Sequence, residues 1–193
     1  MFAIGDSIAA GYNGETRKDK DGWPQQLGLD DNHALGISGS TAEEWATIYV
    51  PILKKVVRSA VPSGEPIVIS LVGNDFIAAV GDGILSGGES TRMVEAYKSV
   101  LHRLRLCRCY IILYTDPTYG ADPEIACQVR LLRQLLMAVP DRRAFPAGLS
   151  WYDLDSIIGF EPGMMGDDKL HPSTKGHEAI ARHMAFMGMT ATF

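Results

Sequence analysis

Apolar residues follow two rhythms along this chain. Short unbroken runs rich in β-branched residues alternate with longer stretches where apolar residues recur every three or four positions. The first rhythm predicts strands buried on both faces, and the second predicts helices with one core-facing stripe. Ile67 to Val72, reading Ile-Val-Ile-Ser-Leu-Val, is the clearest strand. Phe2 to Ile4, Ala34 to Ile37, Tyr110 to Tyr114 and Leu149 to Leu154 are the others. Trp45, Ile48, Ile52 and Val56 mark a helical stripe. Pro51 should restart or kink that helix, because proline lacks the N–H and crowds the preceding turn. Val94, Tyr97, Leu101 and Leu104 mark a second stripe. Ile125, Val129, Leu132, Leu136 and Val139 mark a third, and Ile180, Met184 and Met187 a fourth.

Strands alternating with helices imply a parallel sheet covered on both faces. Right-handed crossovers then bring the strand C-termini to one edge, where ligands bind in such sheets. The residues just after each strand are therefore the candidate site. After the first strand comes Gly5-Asp6-Ser7, after the second Ser38-Gly39-Ser40, and after the third Gly73-Asn74-Asp75. Asp168-Lys169-Leu170-His171-Pro172 precedes the last helix. Each cluster alone reads as a turn or a helix cap. Together, in this order at these strand ends, they are chemically complementary.

A serine hydroxyl becomes a good nucleophile when an imidazole takes its proton, and a carboxylate fixes that imidazole's tautomer. Ser7, His171 and Asp168 supply these groups. The three-residue spacing lets one tight turn bring Asp168 and His171 together. Gly39 can present a bare backbone N–H, and Asn74 a side-chain amide. Ser7 at a helix N-terminus would gain from the positive end of the helix dipole.

These blocks resemble the SGNH, or GDSL-type, hydrolase family. Gly5-Asp6-Ser7-Ile8 is similar to its first block, with Ile8 in place of leucine. Ser38-Gly39-Ser40 resembles the glycine block and Val72-Gly73-Asn74-Asp75 the third. Asp168 to His171, with Pro172, Ser173 and Gly176, resembles the closing block. Trp23-Pro24 and Asp116-Pro117-Thr118-Tyr119 also fit. The resemblance runs from Gly5 to about Ala181. It implies a flavodoxin-like three-layer α/β/α sandwich with a five-stranded, mostly parallel sheet. It implies Ser7 as nucleophile, His171 as base and Asp168 as its partner. It implies an oxyanion hole from the Ser7 and Gly39 N–H groups and the Asn74 side chain, with no metal or organic cofactor. Val72 departs from the family, which usually has glycine there, and this puts the geometry of the Asn74 loop in question. Asp167 offers an alternative carboxylate, although the spacing favours Asp168.

Composition narrows the setting. The 193 residues show no internal repeat or long linker, so one domain spanning residues 1–193 is expected. That length supports a core without disulfide or metal. With 46% apolar and 21% charged residues, wholesale disorder is excluded. A net charge of -5 disfavours nucleic-acid and anionic-membrane partners. The partner expected is a small-molecule, carbohydrate or lipid ester. Cys107, Cys109 and Cys127 are odd in number and lack metal-site spacing, so they read as buried or reduced thiols. His33, His102, His177 and His183 read as surface or core residues. No signal-peptide pattern and no apolar run of roughly 20 residues appears, so a cytoplasmic or otherwise soluble protein is expected.

Charged or glycine-rich loops, 13–22 and 77–88, are candidates for the rim of a cleft. Phe160 to Met165 either lines an acyl pocket or simply packs. The leading expectation is an acyl-serine esterase, with carbohydrate O-acetyl esters slightly ahead of lipid or thioester substrates. The alternative is a catalytically silent ligand-binding domain on the same fold. A nucleotide- or flavin-binding domain is disfavoured, because the first loop lacks Gly-x-Gly-x-x-Gly spacing and places Asp6 where phosphate would sit.

Overall fold

The computed structural model describes residues 1–13, 22–81, 87–113, 123–158, 161–168 and 170–189. The first third of the chain forms β1 (Phe2–Gly5), α1 (Ser7–Ala10), α2 (Trp23–Gln26), β2 (Ala34–Gly36), α3 (Ala42–Thr47) and α4 (Val50–Ser63). β3 (Ile67–Ser70), α5 (Gly73–Gly81), α6 (Gly87–Leu104) and β4 (Cys109–Leu113) follow. α7 (Pro123–Ala138), β5 (Leu149–Asp153), α8 (Leu154–Ile158) and α9 (Thr174–Phe186) complete it. The five strands pair in the order β2-β1-β3-β4-β5, every pair parallel. The sheet expected to be mostly parallel is thus wholly so.

The strand alternation sorts the core into two layers. Ile67, Ile69, Cys109 and Ile111 face one way, onto Trp45, Leu53, Val56, Val100, Leu101 and Leu104 of α3, α4 and α6. Val68, Tyr110 and Ile112 face the other way, onto Ile8, Trp23, Leu154, Ile180 and Met184 of α1, α2, α8 and α9. Period-two alternation in a strand buried on both sides yields this pattern, and the continuous apolar runs follow from it. Strand order reverses at β1, whose neighbours β2 and β3 lie on opposite sides. Connections leaving in opposite directions open a crevice at the C-terminal end of β1.

One helical stripe is corrected. Pro51 does restart the chain: α3 ends at Thr47, and α4 begins at Val50 with Pro51 in its first turn. The new helix has its own phase, set by buried Leu53, Val56 and Ala60. Ile48 falls in the break and is 61% exposed rather than in the core. The three cysteines are free thiols, with Cys107 and Cys109 buried and Cys127 exposed.

The tightest constraint lies where β1 ends. Gly5 pairs with Ser70 of β3 and adopts φ +128°. A Cβ there would lie 1.6 Å from the Ser70 carbonyl oxygen. Backbone cannot yield as a flexible side chain can, so any larger residue must separate β1 from β3. Gly5→Ala is expected to lower stability by about 3 kcal/mol or more. Urea unfolding measures this, and a midpoint close to that of the parent protein would contradict the contact.

Candidate active site

Ser7 opens α1 directly after β1 and is only 6% exposed. Asp6 caps the helix: its Oδ1 accepts from the Ile8 N–H at 3.1 Å and from the Ser70 hydroxyl at 2.9 Å. The Asp6 N–H donates to the Ser70 carbonyl at 2.8 Å. Asp6, the residue just before Ser7, is therefore tied twice to Ser70 of β3. α1 is a single turn, so it offers a few peptide N–H groups rather than the dipole of a long helix.

Ser7 Oγ lies 2.8 Å from His171 Nε2. His171 Nδ1 lies 2.7 Å from Asp168 Oδ2. The other Asp168 oxygen accepts from the Leu170 and His171 N–H groups at 2.9 and 3.0 Å. One carboxylate thus ties its own turn and orients the imidazole. Partial burial pushes the Asp168 carboxyl up, but the hydrogen bonds from His171 and Leu170 outweigh it and hold it below its ordinary value. Asp167 is exposed and its neighbour takes the histidine. The turn is anchored in turn. The Gly166 N–H donates to the His171 carbonyl at 2.8 Å, and Ser173 caps α9 by accepting from the Gly176 N–H at 3.2 Å.

The imidazole also has an aromatic wall. The Tyr12 ring meets His171 edge-on, with centroids 4.6 Å apart. The Tyr12 carbonyl lies 2.9 Å from His177 Nε2, and the Trp23 N–H reaches His177 Nδ1 at 3.4 Å. An N–H can only donate and a carbonyl only accept, so the His177 proton sits on Nε2. Burial pushes His177 down to about 4, which keeps this bridge neutral. His177 is a core histidine, as expected, but one that holds the Tyr12 segment behind His171.

The other side of the crevice comes from β2 and β3. Gly39 sits in a turn closed by the Ser40 N–H on the Ile37 carbonyl at 3.1 Å, with φ +83°. That value at the third position of a turn requires glycine or a near substitute. The Asn74 amide donates to the Ser40 carbonyl at 2.9 Å. Asp75 accepts from the Ala42 N–H with both oxygens, at 3.0 and 3.2 Å, fixing the start of α5 to the start of α3. Gly39 and Asn74 thus meet through Ser40. Val72 answers the question its identity raised. It takes the left-handed φ of +79°, alone in doing so among the described non-glycine residues. A β-branched residue there costs on the order of 1–3 kcal/mol. Its side chain is buried in the core beside Trp45 and Phe76, so packing holds the conformation a glycine would take freely.

Several supporting residues escaped the sequence reading. Ser70 left a trace, as the polar residue inside Ile-Val-Ile-Ser. Ser40 belongs to the Ser38-Gly39-Ser40 cluster, but its ties to Gly5 and Asn74 span 35 and 34 residues. Tyr12 and His177 left no trace, because they meet His171, Trp23 and each other across more than 100 residues. Met164 is buried in the same apolar cluster as Ile180 and Met184 of α9. Asp116 to Tyr119, Phe160, and loop residues 14–21 and 82–86 lie outside the described residues.

Two buried carboxyls link this edge to pH. Burial pushes Asp6 up to about 6, against the pull of hydrogen bonds from Ser70 and nearby N–H groups. Burial likewise pushes Asp75 up to about 6, assisted by the charges of Glu44 and Glu43. A carboxyl raised on folding binds its proton more tightly in the folded state. Its stabilising contribution is full below its ordinary value of 3.8 and is lost as pH rises through about 6. For Asp6 the loss is on the order of 3 kcal/mol. Urea unfolding at pH 4.5 and 7.5 should show this decline, and Asp6→Asn should flatten it. Equal pH dependence in the two proteins would contradict the assignment.

A family model described as the GDSL-like lipase/acylhydrolase family matches residues 3–179. No curated protein sequence is matched. Among solved structures, a lipase from a goat rumen metagenome superposes with TM-score 0.70 at 17% identity, covering 98% of this chain and 97% of that one. An acetylxylan esterase from Geobacillus stearothermophilus gives 0.59 at 15%, covering 98% and 95%. A psychrotrophic esterase from Pseudoalteromonas sp. gives 0.59 at 17%, covering 95% and 94%. At these identities the structural likeness is one of fold.

Proposed function

The chain belongs to the GDSL-like lipase/acylhydrolase family, and from that membership we propose that it hydrolyses carboxylic esters through an acyl-enzyme on Ser7. The observation that carries this reading is the continuous chain from Ser7 Oγ through His171 to Asp168, with links of 2.8 and 2.7 Å.

His171 Nε2 takes the Ser7 proton as Oγ attacks the ester carbonyl. Asp168 accepts from Nδ1–H, which fixes the reactive tautomer and stabilises the imidazolium that forms. The tetrahedral oxyanion is met by the Ser7 and Gly39 N–H groups and the second N–H of the Asn74 amide. The C–O bond to the alcohol breaks as His171 returns the proton to the leaving oxygen. Water, activated by the same imidazole, then cleaves the acyl-enzyme and restores Ser7.

The chain has few insertions around a compact sheet, which supports small acyl groups, with carbohydrate O-acetyl esters as the leading class. Fold neighbours include both acetylxylan esterases and lipases. The lipase superposes best of the three, which keeps longer acyl chains as the second reading.

A p-nitrophenyl series from acetate upward separates the two readings. Turnover should be highest with acetate and fall with chain length, whereas a maximum at medium or long chains favours the lipase-like reading. Ser7→Ala and His171→Ala should each lower kcat by about 10⁴-fold or more. A Ser7→Ala protein as active as its parent would rule out the acyl-enzyme.

A further inference from the structure

We infer that Ser40 is a positioning residue that holds the oxyanion donors in register across three loops; this rests on the ester-hydrolase reading above. The proposed donors come from the ends of three different strands: Ser7 after β1, Gly39 after β2 and Asn74 after β3. The sheet ladder fixes these strands only as far as Gly5, Gly36 and Ser70. Beyond that line the loops need another tie.

Ser40 is that tie. Its hydroxyl donates to the Gly5 carbonyl at 3.2 Å and accepts from the Trp45 indole N–H at 2.8 Å. Its carbonyl accepts from Asn74 at 2.9 Å. The hydroxyl's single proton is used, and its lone pair is met by a buried donor. Ser40 and Trp45 are 2% and 0% exposed, so water cannot substitute for either partner. The Gly5 carbonyl also accepts from the Ile37 N–H at 2.8 Å, which places both ends of the Gly39 turn on one atom of β1.

The Asn74 link carries a consequence for chemistry. A carbonyl can only accept, so Asn74 must turn its NH₂ end toward Ser40. One N–H is then spent on Ser40, and the other is left for the oxyanion. If the Ser40 backbone drifts, Gly39 and Asn74 drift with it. Removal of one oxyanion donor costs about 10²- to 10³-fold in kcat, and a displacement of about 1 Å can cost 10²-fold. Loss of the Ser40 hydroxyl should therefore act on kcat while leaving ground-state binding nearly intact.

The test is steady-state kinetics on p-nitrophenyl acetate with Ser40→Ala and Ser40→Cys, each normalised to active sites titrated by a fluorophosphonate. Cysteine keeps nearly the same shape but is a weak donor and acceptor, so it carries the test where alanine does not fold. Both should lower kcat per active site by about 10- to 100-fold, with KM changed by less than about threefold. The Ser40→Ala loss should shrink by at least about threefold in an Asn74→Ala background, because coupled residues are non-additive. A purely structural role would lower the urea midpoint and the titrated fraction while kcat per active site stayed at the parent value, and that result overturns the inference. Additive losses from Ser40→Ala and Asn74→Ala overturn it too. Absence of Ser7-dependent turnover in the parent protein overturns the ester-hydrolase reading itself, and this inference with it.

Discussion

At the end of β1 the backbone runs so close to β3 that Gly5 has no room for a side chain. Four connections converge within two residues of that point. The Asp6 N–H meets the Ser70 carbonyl, and the Ser70 hydroxyl meets the Asp6 carboxyl. The Gly5 carbonyl receives both the Ile37 N–H and the Ser40 hydroxyl. Ser7 is the next residue along. Its place relative to the loops after β2 and β3 is thus fixed by backbone geometry, before His171 is considered. His171 is brought from 164 residues away by a turn that Asp168, Gly166 and Ser173 hold together at the start of α9. The site is the meeting of these two rigid pieces in the crevice that the strand order opens.

Such a junction concentrates features that oppose stability. Asp6 is buried with its carboxyl pushed up, Asp75 is raised beside two glutamates, and Val72 is held in a left-handed conformation that suits glycine. All three lie just after β1 or β3, around the proposed oxyanion site, while the strands and helix faces beneath are largely apolar. Strain gathered at a functional edge and balanced by packing elsewhere is the usual division in enzymes. Val72 shows the balance in one residue: its backbone is unfavourable, and its side chain contributes to the same core as Trp45 and Phe76.

The sequence made the scaffold legible because a buried parallel strand needs apolar residues on both faces. Ile67 to Val72 and Tyr110 to Tyr114 could hardly be read otherwise, and the strands observed there are Ile67–Ser70 and Cys109–Leu113. The His171–Asp168 pair was legible because its geometry is local, three residues apart in one turn. Ile48 was misread because a single helical period was drawn through Pro51, where the helix breaks and changes phase. The supporting residues were hidden for a different reason. Tyr12 and His177 act through partners more than 100 residues distant, and no local pattern distinguishes them from ordinary loop and helix residues. Ser40 stands in a recognisable block, but its ties to Gly5 and Asn74 span 35 and 34 residues. Val72 stood out as a departure, but only the backbone dihedral showed that the chain keeps the glycine-like geometry.

The central claim is that Ser7 is the nucleophile, activated by His171. Reaction with a fluorophosphonate, followed by proteolysis and mass mapping of the modified peptide, tests it most directly. The account predicts one phosphonyl group per chain, on Ser7, with its formation slowed strongly in His171→Ala. Modification at another residue, or modification of Ser7 at an unchanged rate without His171, would contradict it.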